Sequence, residues 1–116
     1  MAHDYLQLIA EKTGISLDFN IAPWSVNLQK TKDKEIDLLG AVYFTEERSH
    51  YLNFSKPYFE VLDFFFIRDD IEVTTLDDLN GKRVAIPKGY AHIKFLQEHF
   101  PKIDIVQVNS FNDAIN

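Results

Sequence analysis

A short polar turn between two apolar runs, within residues 35–58, constrains the fold of this chain more than any other feature. Arg48 lies in this turn, and its guanidinium is a planar fork of donors that stays protonated and fits a carboxylate. We therefore predict that Arg48 binds a carboxylate, with a surface ion pair to Glu46 or Glu47 as the alternative. The apolar residues that frame the turn are Ile36, Leu38, Leu39, Ala41 and Val42 before it and Tyr51, Leu52 and Phe54 after it.

Composition and charge exclude several classes of function. The 116 residues suffice for one ordinary domain but are few for two lobes, and 46% of them are apolar. The net charge of −6 argues against a nucleic-acid partner, because the phosphate backbone attracts a basic surface. The absence of cysteine excludes disulfides and thiolate metal sites. The longest apolar stretch, residues 61–67, is interrupted by Asp63 and is too short to span a bilayer.

The apolar periodicity of residues 4–68 predicts alternating helices and strands, as in α/β folds. A helical stripe covers residues 4–13, and Gly14 suits the position just past the end of that helix. Ser25 is predicted to cap a second helix that continues through about residue 34. Three strands are predicted, a half-buried one at 17–21, one covered on both faces at 36–42 and an aromatic one at 59–68.

The remainder of the chain predicts a second α/β pattern. Thr75 and Asp78 form a capping-box sequence for a short helix that ends at Gly81. The elements predicted next are a strand at 83–86, a helix at 90–100 that Pro101 stops, and a strand at 103–108. Ser110 and Asp113 then form a second capping signature at the start of a further helix.

Two segments carry a pattern that extends beyond local structure. Residues 35–58 contain E-I-D-L-L, then T-E-E-R, then Y-L-N-F-S-K-P-Y, and residues 77–86 read D-D-L-N-G-K-R-V-A-I before P-K-G. With their spacing preserved, both segments resemble the bacterial extracellular solute-binding proteins of family 3, the amino-acid type. The resemblance implies an α/β fold of the type II periplasmic-binding-protein kind, with a ligand cleft between two lobes.

The resemblance also implies which residues bind the ligand. In that family the arginine of the T-x-x-R motif binds the α-carboxylate of the ligand, which gives that role to Arg48. Thr45 is expected to cap the turn, with ligand contact through the neighbouring backbone amides. The glycine loop of the family's second lobe leads into a helix, whose first amides attract anions. That loop corresponds here to Gly89, Tyr90, Ala91 and His92.

Several positions depart from the family pattern or leave their role open. Trp24 either stacks over the ligand or packs between the lobes. Many relatives carry small hydroxyl residues where this chain has Ala41 and Tyr43. Tyr43 therefore offers its phenol to the ligand, fills part of the cleft, or packs at a strand end. Tyr90 and Ala91 stand where a serine or threonine usually follows the glycine, which preserves amide contacts but removes a hydroxyl contact.

The resemblance divides the chain into a partial first lobe at 1–68, a hinge at 69–73 and a partial second lobe at 74–116. The family's first strand, and the second half of lobe two with its acidic group for the ligand ammonium, are expected to lie outside this sequence. The first residues also lack the basic and apolar regions of a signal peptide. We therefore expect a segment of a longer protein, whose exposed sheet edges favour self-association.

The predicted function is binding of a small solute, an amino acid or other carboxylate, without a cofactor. The sequence has no glycine-rich phosphate loop and no Ser-His-Asp arrangement, and its histidines lack metal-ligand spacing and are assigned to the surface. We predict a non-enzymatic, periplasmic or extracellular input domain of a membrane histidine kinase or cyclic-dinucleotide signalling protein. The alternatives are an ABC-transporter binding component, an enzyme of the cyclohexadienyl-dehydratase kind, and a ligand-free interaction module.

Overall fold

A computed structural model describes residues 2–115, so Met1 and Asn116, the outer ends of the two predicted lobes, lie outside the described residues. The helices are α1 (Ala2–Thr13), α2 (Trp24–Lys32), α3 (Glu46–Ser49), α4 (Ala91–His99) and α5 (Phe111–Ile115). The strands are β1 (Arg83–Pro87) and β2 (Asp104–Val108), and a single 3-10 turn, Leu76–Leu79, precedes β1. Below, residues 2–68 are called the N-terminal part and residues 74–115 the C-terminal part.

The C-terminal part is a βαβ unit with an additional helix. β1 and β2 pair in parallel, in a register that runs from Arg83 opposite Asp104 to Pro87 opposite Val108. α4 forms the crossover between them, as a parallel pair requires. α5 then contacts both strands. The strand–helix–strand order predicted for residues 83–108 is confirmed, with boundaries that shift by one residue.

The buried hydrophobic core also lies in the C-terminal part. It consists of Leu79, Ile86, Leu96 and Ile103, surrounded by the partly buried side chains of Leu76, Val84, Ile93, Phe100 and Ile105 and of Val73, which directly precedes this part. Leu96, on the inner face of α4, is 2% exposed. Because the core fixes α4 against the two strands, it also fixes the loop at residues 88–90 that connects β1 to α4.

Side-chain caps begin two short elements of the C-terminal part. Oδ2 of Asp78 accepts hydrogen bonds from the amides of Thr74, at 3.0 Å, and Thr75, at 2.8 Å, and from the Thr75 hydroxyl, at 3.1 Å. At the start of α5, the Ser110 amide donates to Asp113 at 3.0 Å and the Asp113 amide donates to Ser110 Oγ at 3.2 Å. Both predicted capping signatures are confirmed.

The helices of the N-terminal part agree with the sequence except at one cap. Gly14 follows α1 with a φ of +74°, and its amide donates to the Ala10 carbonyl at 2.9 Å, as predicted for the residue past a helix end. The prediction that Ser25 caps α2 is wrong. α2 begins at Trp24 with Pro23 as its N-cap and has no side-chain cap. The pyrrolidine ring of Pro23 restricts φ, here −52°, and so fixes how the chain enters the helix.

The three strands predicted in the N-terminal part are not formed as hydrogen-bonded strands. Within residues 2–115 the sheet consists of β1 and β2, and residues 17–21, 36–42 and 59–68 have no regular secondary structure. An apolar pattern favours a strand, but a strand also needs a paired neighbour. Leu38, predicted to be covered on both faces, is 55% exposed, and Phe66 is 82% exposed. These three segments have neither a paired neighbouring strand nor full cover from other residues, so their apolar pattern does not produce strands.

Aromatic contacts hold the N-terminal part together. The ring of Tyr5 on α1 lies 5.6 Å from that of Tyr58 and 5.5 Å from that of Phe59, centroid to centroid. The Tyr58 hydroxyl donates to the Gly40 carbonyl, and Leu6 packs so closely on Gly40 that a Cβ there would lie 2.7 Å from Leu6 Cδ1. These contacts bring the chain around residue 40 next to the chain around residue 58.

Candidate functional site

Arg48 is positioned by a capped single-turn helix. Thr45 precedes α3 in an extended conformation, and its hydroxyl accepts a hydrogen bond from the Arg48 amide at 3.1 Å. Thr45 is therefore the N-cap of α3, as predicted. Arg48 is 5% exposed and is the only buried residue among residues 2–68. The alternative of a solvent-exposed surface arginine is wrong.

The guanidinium of Arg48 donates to main-chain carbonyls rather than to the adjacent glutamates. Nη1 donates to the Tyr43 carbonyl at 2.9 Å, and Nη2 donates to the Gly89 carbonyl at 2.7 Å. None of the ion pairs found in residues 2–115 includes Arg48. Its positive charge is thus held by neutral acceptors, one from each part of the chain.

Trp24 reaches the same carbonyl from the start of α2. Its indole Nε1 donates to the Gly89 carbonyl at 2.9 Å, and its ring centroid lies 5.4 Å from the guanidinium carbon of Arg48. Gly89 has a φ of +81°, and a Cβ at this position would lie 3.3 Å from Trp24 Cδ1. Both the backbone conformation and the close approach of the indole therefore favour glycine here.

These residues border a small cleft between the two parts of the chain. Its volume is about 160 Å³, and its lining residues are Trp24, Ala41, Tyr43, Arg48, Tyr90, Ala91 and His92. The edge of the Tyr90 ring faces Trp24 at a centroid distance of 6.5 Å. Tyr90 is also the N-cap of α4 and makes no side-chain cap hydrogen bond. The cleft therefore combines aromatic walls with one buried cation.

The structure brings five of the predicted site residues to the cleft lining, namely Trp24, Tyr43, Arg48, Tyr90 and Ala91. The other two, Thr45 and Gly89, do not line the cleft but contact Arg48 directly. Tyr43 is not at a strand end, because residues 36–42 form no strand. Its hydroxyl donates a hydrogen bond to a residue that was not among the predicted site residues.

That residue is Asp63, which joins two cleft residues from outside the lining. Its Oδ1 accepts a hydrogen bond from the Tyr43 hydroxyl at 2.6 Å, and its Oδ2 lies 3.1 Å from Nε2 of His92. The rings of Tyr43 and His92 meet edge to face at a centroid distance of 5.3 Å. His92, assigned to the surface from its sequence context, lines the cleft instead. The signal that could have revealed Asp63 is its charge inside the apolar run 61–67.

The contacts of Asp63 change the proton affinities of this cluster. The hydrogen bond from Tyr43, followed by that from His92, lowers the pKa of Asp63, because both stabilise the ionised carboxylate. The same bond to Asp63, followed by desolvation, raises the pKa of the Tyr43 phenol. At neutral pH Asp63 is therefore an ionised acceptor.

Two kinds of feature are absent from the described residues, a metal-binding cluster and a membrane-spanning helix. Residues 2–115 contain no cluster of three or more His, Cys, Asp or Glu side chains that could hold a metal ion. Among the described helices, none is both long enough and apolar enough to cross a membrane.

Comparison with known families places this chain in a recognised group. The sequence profile of the bacterial extracellular solute-binding proteins, family 3, matches residues 1–116. The chain belongs to this family. The family resemblance predicted from residues 35–58 and 77–86 is confirmed.

The curated relatives of this family 3 chain include sensor and transport proteins. It is 30% identical over 114 residues to the virulence sensor protein BvgS of Bordetella pertussis, a match that covers 95% of the chain and 9% of BvgS. It is 29% identical over 106 residues to the probable amino-acid-binding protein YxeM of Bacillus subtilis, covering 88% and 40%. Against the ABC transporter arginine-binding protein 1 of Escherichia coli, it is 30% identical over 77 residues, covering 66% and 31%. The chain thus spans less than half the length of these relatives.

Solved structures confirm the fold class. An ancestral arginine-binding protein bound to glutamine superposes with a TM-score of 0.79 at 23% identity, over 98% of this chain and 52% of that structure. The periplasmic VFT2 domain of Bordetella pertussis BvgS superposes with a TM-score of 0.70 at 23% identity, over 98% and 49%. This family 3 chain therefore has the α/β, type II periplasmic-binding-protein fold in part, equivalent to about half of those structures.

Proposed function

We propose that this chain binds a small solute with a carboxylate, an amino acid or a related acid, in the cleft around Arg48. The observation that carries the proposal is the burial of Arg48 beside the cleft, with neutral carbonyls as its partners. Removing a cation from water is costly unless a partner compensates for the lost hydration, and a carboxylate compensates better than a carbonyl. A ligand carboxylate is therefore the matching group for this site.

The Gly89 carbonyl occupies a donor of Arg48 that the ligand would use. Charge-assisted hydrogen bonds are about twice as strong as neutral ones, and a carboxylate accepts two parallel bonds from a guanidinium. A bound carboxylate would therefore replace the Gly89 carbonyl at Nη2, which now accepts at 2.7 Å. Because Gly89 and Arg48 lie in different parts of the chain, this exchange changes how the two parts meet. Such a change is the kind of output that cleft-closing proteins use.

The aromatic lining and the small volume of the cleft favour a small ligand. Trp24, Tyr43 and Tyr90 offer apolar ring faces with polar tips, which suits the body of an amino acid or a small organic acid. The volume of about 160 Å³ is well below the roughly 300–1,000 Å³ of pockets for drug-sized ligands. We therefore assign solute contacts to Trp24, Tyr43, Tyr90 and Ala91, with Thr45 and Gly89 holding Arg48.

The cellular role that we propose is ligand sensing, as the input domain of a membrane histidine kinase or cyclic-dinucleotide signalling protein. The match to the BvgS sensor protein over 95% of the chain supports this role. Transport is the second candidate, and it is supported by the match to an ABC transporter arginine-binding protein. In either role the cleft would face the periplasm or the cell exterior, in keeping with the family's extracellular description. The sequence of the full-length protein distinguishes the two, because a sensor continues through a membrane helix into a signalling domain.

Thermal-shift measurements with matched ligand pairs test the binding proposal. The panel consists of amino acids and small carboxylic acids, including L-arginine and L-glutamine, each paired with its methyl ester. Free acids that bind are expected to raise the melting temperature in a concentration-dependent manner, because a ligand that binds only the folded state stabilises it. The esters should have little effect, since they lack the carboxylate. The proposal fails if no acid raises the melting temperature, or if acids and esters act equally.

A further inference from the structure

Asp63 occupies an unusual position for a charged residue. It interrupts the apolar run of residues 61–67, and its side chain is 54% exposed. Each of its two carboxylate oxygens contacts a different side chain of the cleft, Tyr43 through Oδ1 and His92 through Oδ2. A carboxylate thus bridges two cleft residues without lining the cleft itself.

The bridge closes a ring of contacts around the cleft. The Tyr43 side chain bonds to Asp63, and the Tyr43 carbonyl accepts from Arg48 at 2.9 Å. His92 lies in the first turn of α4, three residues after Gly89. The Gly89 carbonyl returns to Arg48 at 2.7 Å. The N-terminal part is therefore linked to the C-terminal part at two points, from Asp63 to His92 on α4 and from Arg48 to Gly89 in the loop before α4.

We propose that Asp63 is a positioning residue that holds Tyr43 and His92 together as one wall of the cleft and so keeps the Gly89 carbonyl against Arg48 and Trp24. The inference rests on the proposed function in so far as the cleft is a solute site, and it names the residue that sets the shape of that site. Asp63 acts through its two partners and not through contact with the solute.

An ionised carboxylate suits both contacts of the bridge. The Tyr43 hydroxyl donates to Asp63, and a carboxylate also accepts from a protonated Nε2 of His92. These are the two titratable groups that interact with Asp63, one from the chain before α3 and one from α4, and both lower its pKa. Asparagine would retain an acceptor for Tyr43 but would present its amide hydrogens to His92. Alanine would retain neither contact.

Trp24 provides a reporter that is independent of any ligand. It is the only tryptophan of the chain, and its indole donates to the Gly89 carbonyl at 2.9 Å. Asp63 has no direct contact with Trp24 and reaches it through His92 and the loop at residue 89, or through Tyr43 and Arg48. A change in Trp24 fluorescence on substitution of Asp63 therefore reports movement of that loop or of Arg48, which loss of the two local contacts alone would not produce.

The experiment compares Asp63→Ala and Asp63→Asn with the unchanged 116-residue chain. Asp63→Ala is expected to shift Trp24 emission to the red and to increase its quenching by acrylamide, with Asp63→Asn intermediate. The matched control is Asp70→Ala, because Asp70 is also an exposed aspartate with two hydrogen bonds, both from Arg68. Asp70→Ala should leave Trp24 emission and quenching unchanged.

Two further measurements distinguish positioning from a general loss of structure. In a double-substitution cycle, Asp63→Ala and His92→Ala should give non-additive changes in acrylamide quenching, because both break the same bridge. On acidification, the unchanged chain should show a Trp24 transition below pH 3.8, the ordinary pKa of the carboxyl, which Asp63→Asn lacks.

The result that would overturn the inference is a folded Asp63→Ala protein, by circular dichroism, whose Trp24 emission and quenching match those of the unchanged chain. Additive effects of the two alanine substitutions would also overturn it. The inference would also fail if Asp63→Ala lowered the affinity only for acids that carry an amine and left Trp24 fluorescence unchanged. Asp63 would then be a direct ligand contact. Failure of every acid in the thermal-shift panel would contradict the proposed function but would leave the Trp24 result, measured without ligand, as a separate outcome.

Discussion

Arg48 and Gly89 lie 41 residues apart and are joined by a hydrogen bond of 2.7 Å from Nη2 to the main-chain carbonyl. The Trp24 indole donates to the same carbonyl at 2.9 Å, which uses both lone pairs of one oxygen. The buried hydrophobic cluster lies entirely within the C-terminal part. The contacts between the two parts therefore lie outside this apolar cluster and include polar ones at Gly89 and His92, and polar contacts are the kind that a charged ligand can replace.

Replacing Arg48 with alanine tests whether its guanidinium binds the ligand carboxylate. For any acid that binds in the thermal-shift panel, Arg48→Ala is expected to lower the affinity by roughly 1.5–3 kcal/mol, the range for a hydrogen bond to a charged group. Isothermal titration calorimetry with that acid measures the loss. Arg48→Lys should retain part of the affinity, because it keeps the charge but loses the planar fork.

The control for this measurement is Arg68→Ala. Arg68 is an exposed arginine that pairs with Asp70 and does not line the cleft. Its removal should leave ligand affinity unchanged, since exposed ion pairs contribute little. Equal affinities of Arg48→Ala and the unchanged chain would rule out Arg48 as the carboxylate-binding residue.

Substitution of Gly89 tests the close approach of the indole. Gly89→Ala introduces a Cβ that would lie 3.3 Å from Trp24 Cδ1 at a φ of +81°. The left-handed conformation costs an alanine about 1–2 kcal/mol, and the contact with the indole adds to that cost. We expect a lower free energy of unfolding in urea together with a shift in Trp24 emission.

Gly14→Ala is the matched control for Gly89→Ala. Gly14 has a similar φ of +74°, but a Cβ there would meet nothing within 4 Å. This substitution should show the conformational cost alone, with Trp24 emission unchanged. If both variants alter Trp24 emission alike, the indole contact does not account for the requirement for glycine at position 89.

Apart from the Ser25 cap of α2, the sequence predicted local structure well, but it predicted paired structure in the N-terminal part poorly. The helix end at Gly14 and the caps of Thr75 and Ser110 depend on residues a few positions apart, and all are present. The strands expected at 17–21, 36–42 and 59–68 depend on neighbours that an apolar pattern does not specify, and no ladder forms there. The βαβ unit was predictable because its strands, 83–87 and 104–108, pair across a single short helix.

The candidate site divides in the same way. The T-x-x-R motif predicted the cap by Thr45, because cap and arginine lie three residues apart, and carboxylate binding by Arg48 stays a prediction. The contacts of Asp63 with Tyr43, 20 residues away, and with His92 depend on how separate segments pack, which no local motif encodes. The main-chain carbonyls that bind Arg48 could not be predicted from the sequence either, since every residue carries a carbonyl.

The cap at Asp78 makes stability depend on pH. Hydrogen bonds from the Thr75 amide, then the Thr74 amide and then the Thr75 hydroxyl lower the pKa of Asp78 below its ordinary value of 3.8. A lowered folded-state pKa means that the unfolded chain takes up the proton first. The stabilisation is therefore complete well above pH 3.8 and is lost as pH falls through the folded-state pKa.

Urea unfolding across the acidic range measures this dependence. Asp78→Asn should unfold at lower urea than the unchanged chain at neutral pH, and the difference should narrow as the solution is acidified below pH 3.8. Asp77→Asn is the control, because Asp77 carries the same charge one residue away but its side chain accepts none of those three hydrogen bonds. A constant difference between the Asp78→Asn protein and the unchanged chain at all pH values would contradict the assignment.

Truncation of Leu96 tests whether the βαβ unit supplies the stability of the C-terminal part. Leu96 is 2% exposed and packs in the cluster with Ile86 and Ile103. Leu96→Ala should cost about 2–5 kcal/mol through lost burial and the cavity left behind. Phe95→Ala, one residue earlier and 48% exposed, is the control and should cost much less. Similar urea midpoints for the two variants would show that this cluster does not control unfolding.

The exposed apolar run at residues 61–67 leads us to propose that copies of this chain associate. Leu62 and Phe66 are among its most exposed side chains, and no strand pairs with this segment in the described residues. Unpaired apolar segments of this kind tend to pair with another chain. Light scattering at micromolar concentration should therefore give a mass above that of the monomer.

Lysine substitutions distinguish association through this run from general precipitation. Leu62→Lys and Phe66→Lys should lower the scattering mass, because burying a charged side chain opposes association. Both changes bring the net charge of −6 closer to zero, which by itself favours association, so a lower mass cannot arise from overall repulsion. Gln97→Lys, which adds the same charge on the exposed side of α4, is the control and should leave the mass unchanged. A monomeric mass for the unchanged chain would exclude association at this concentration.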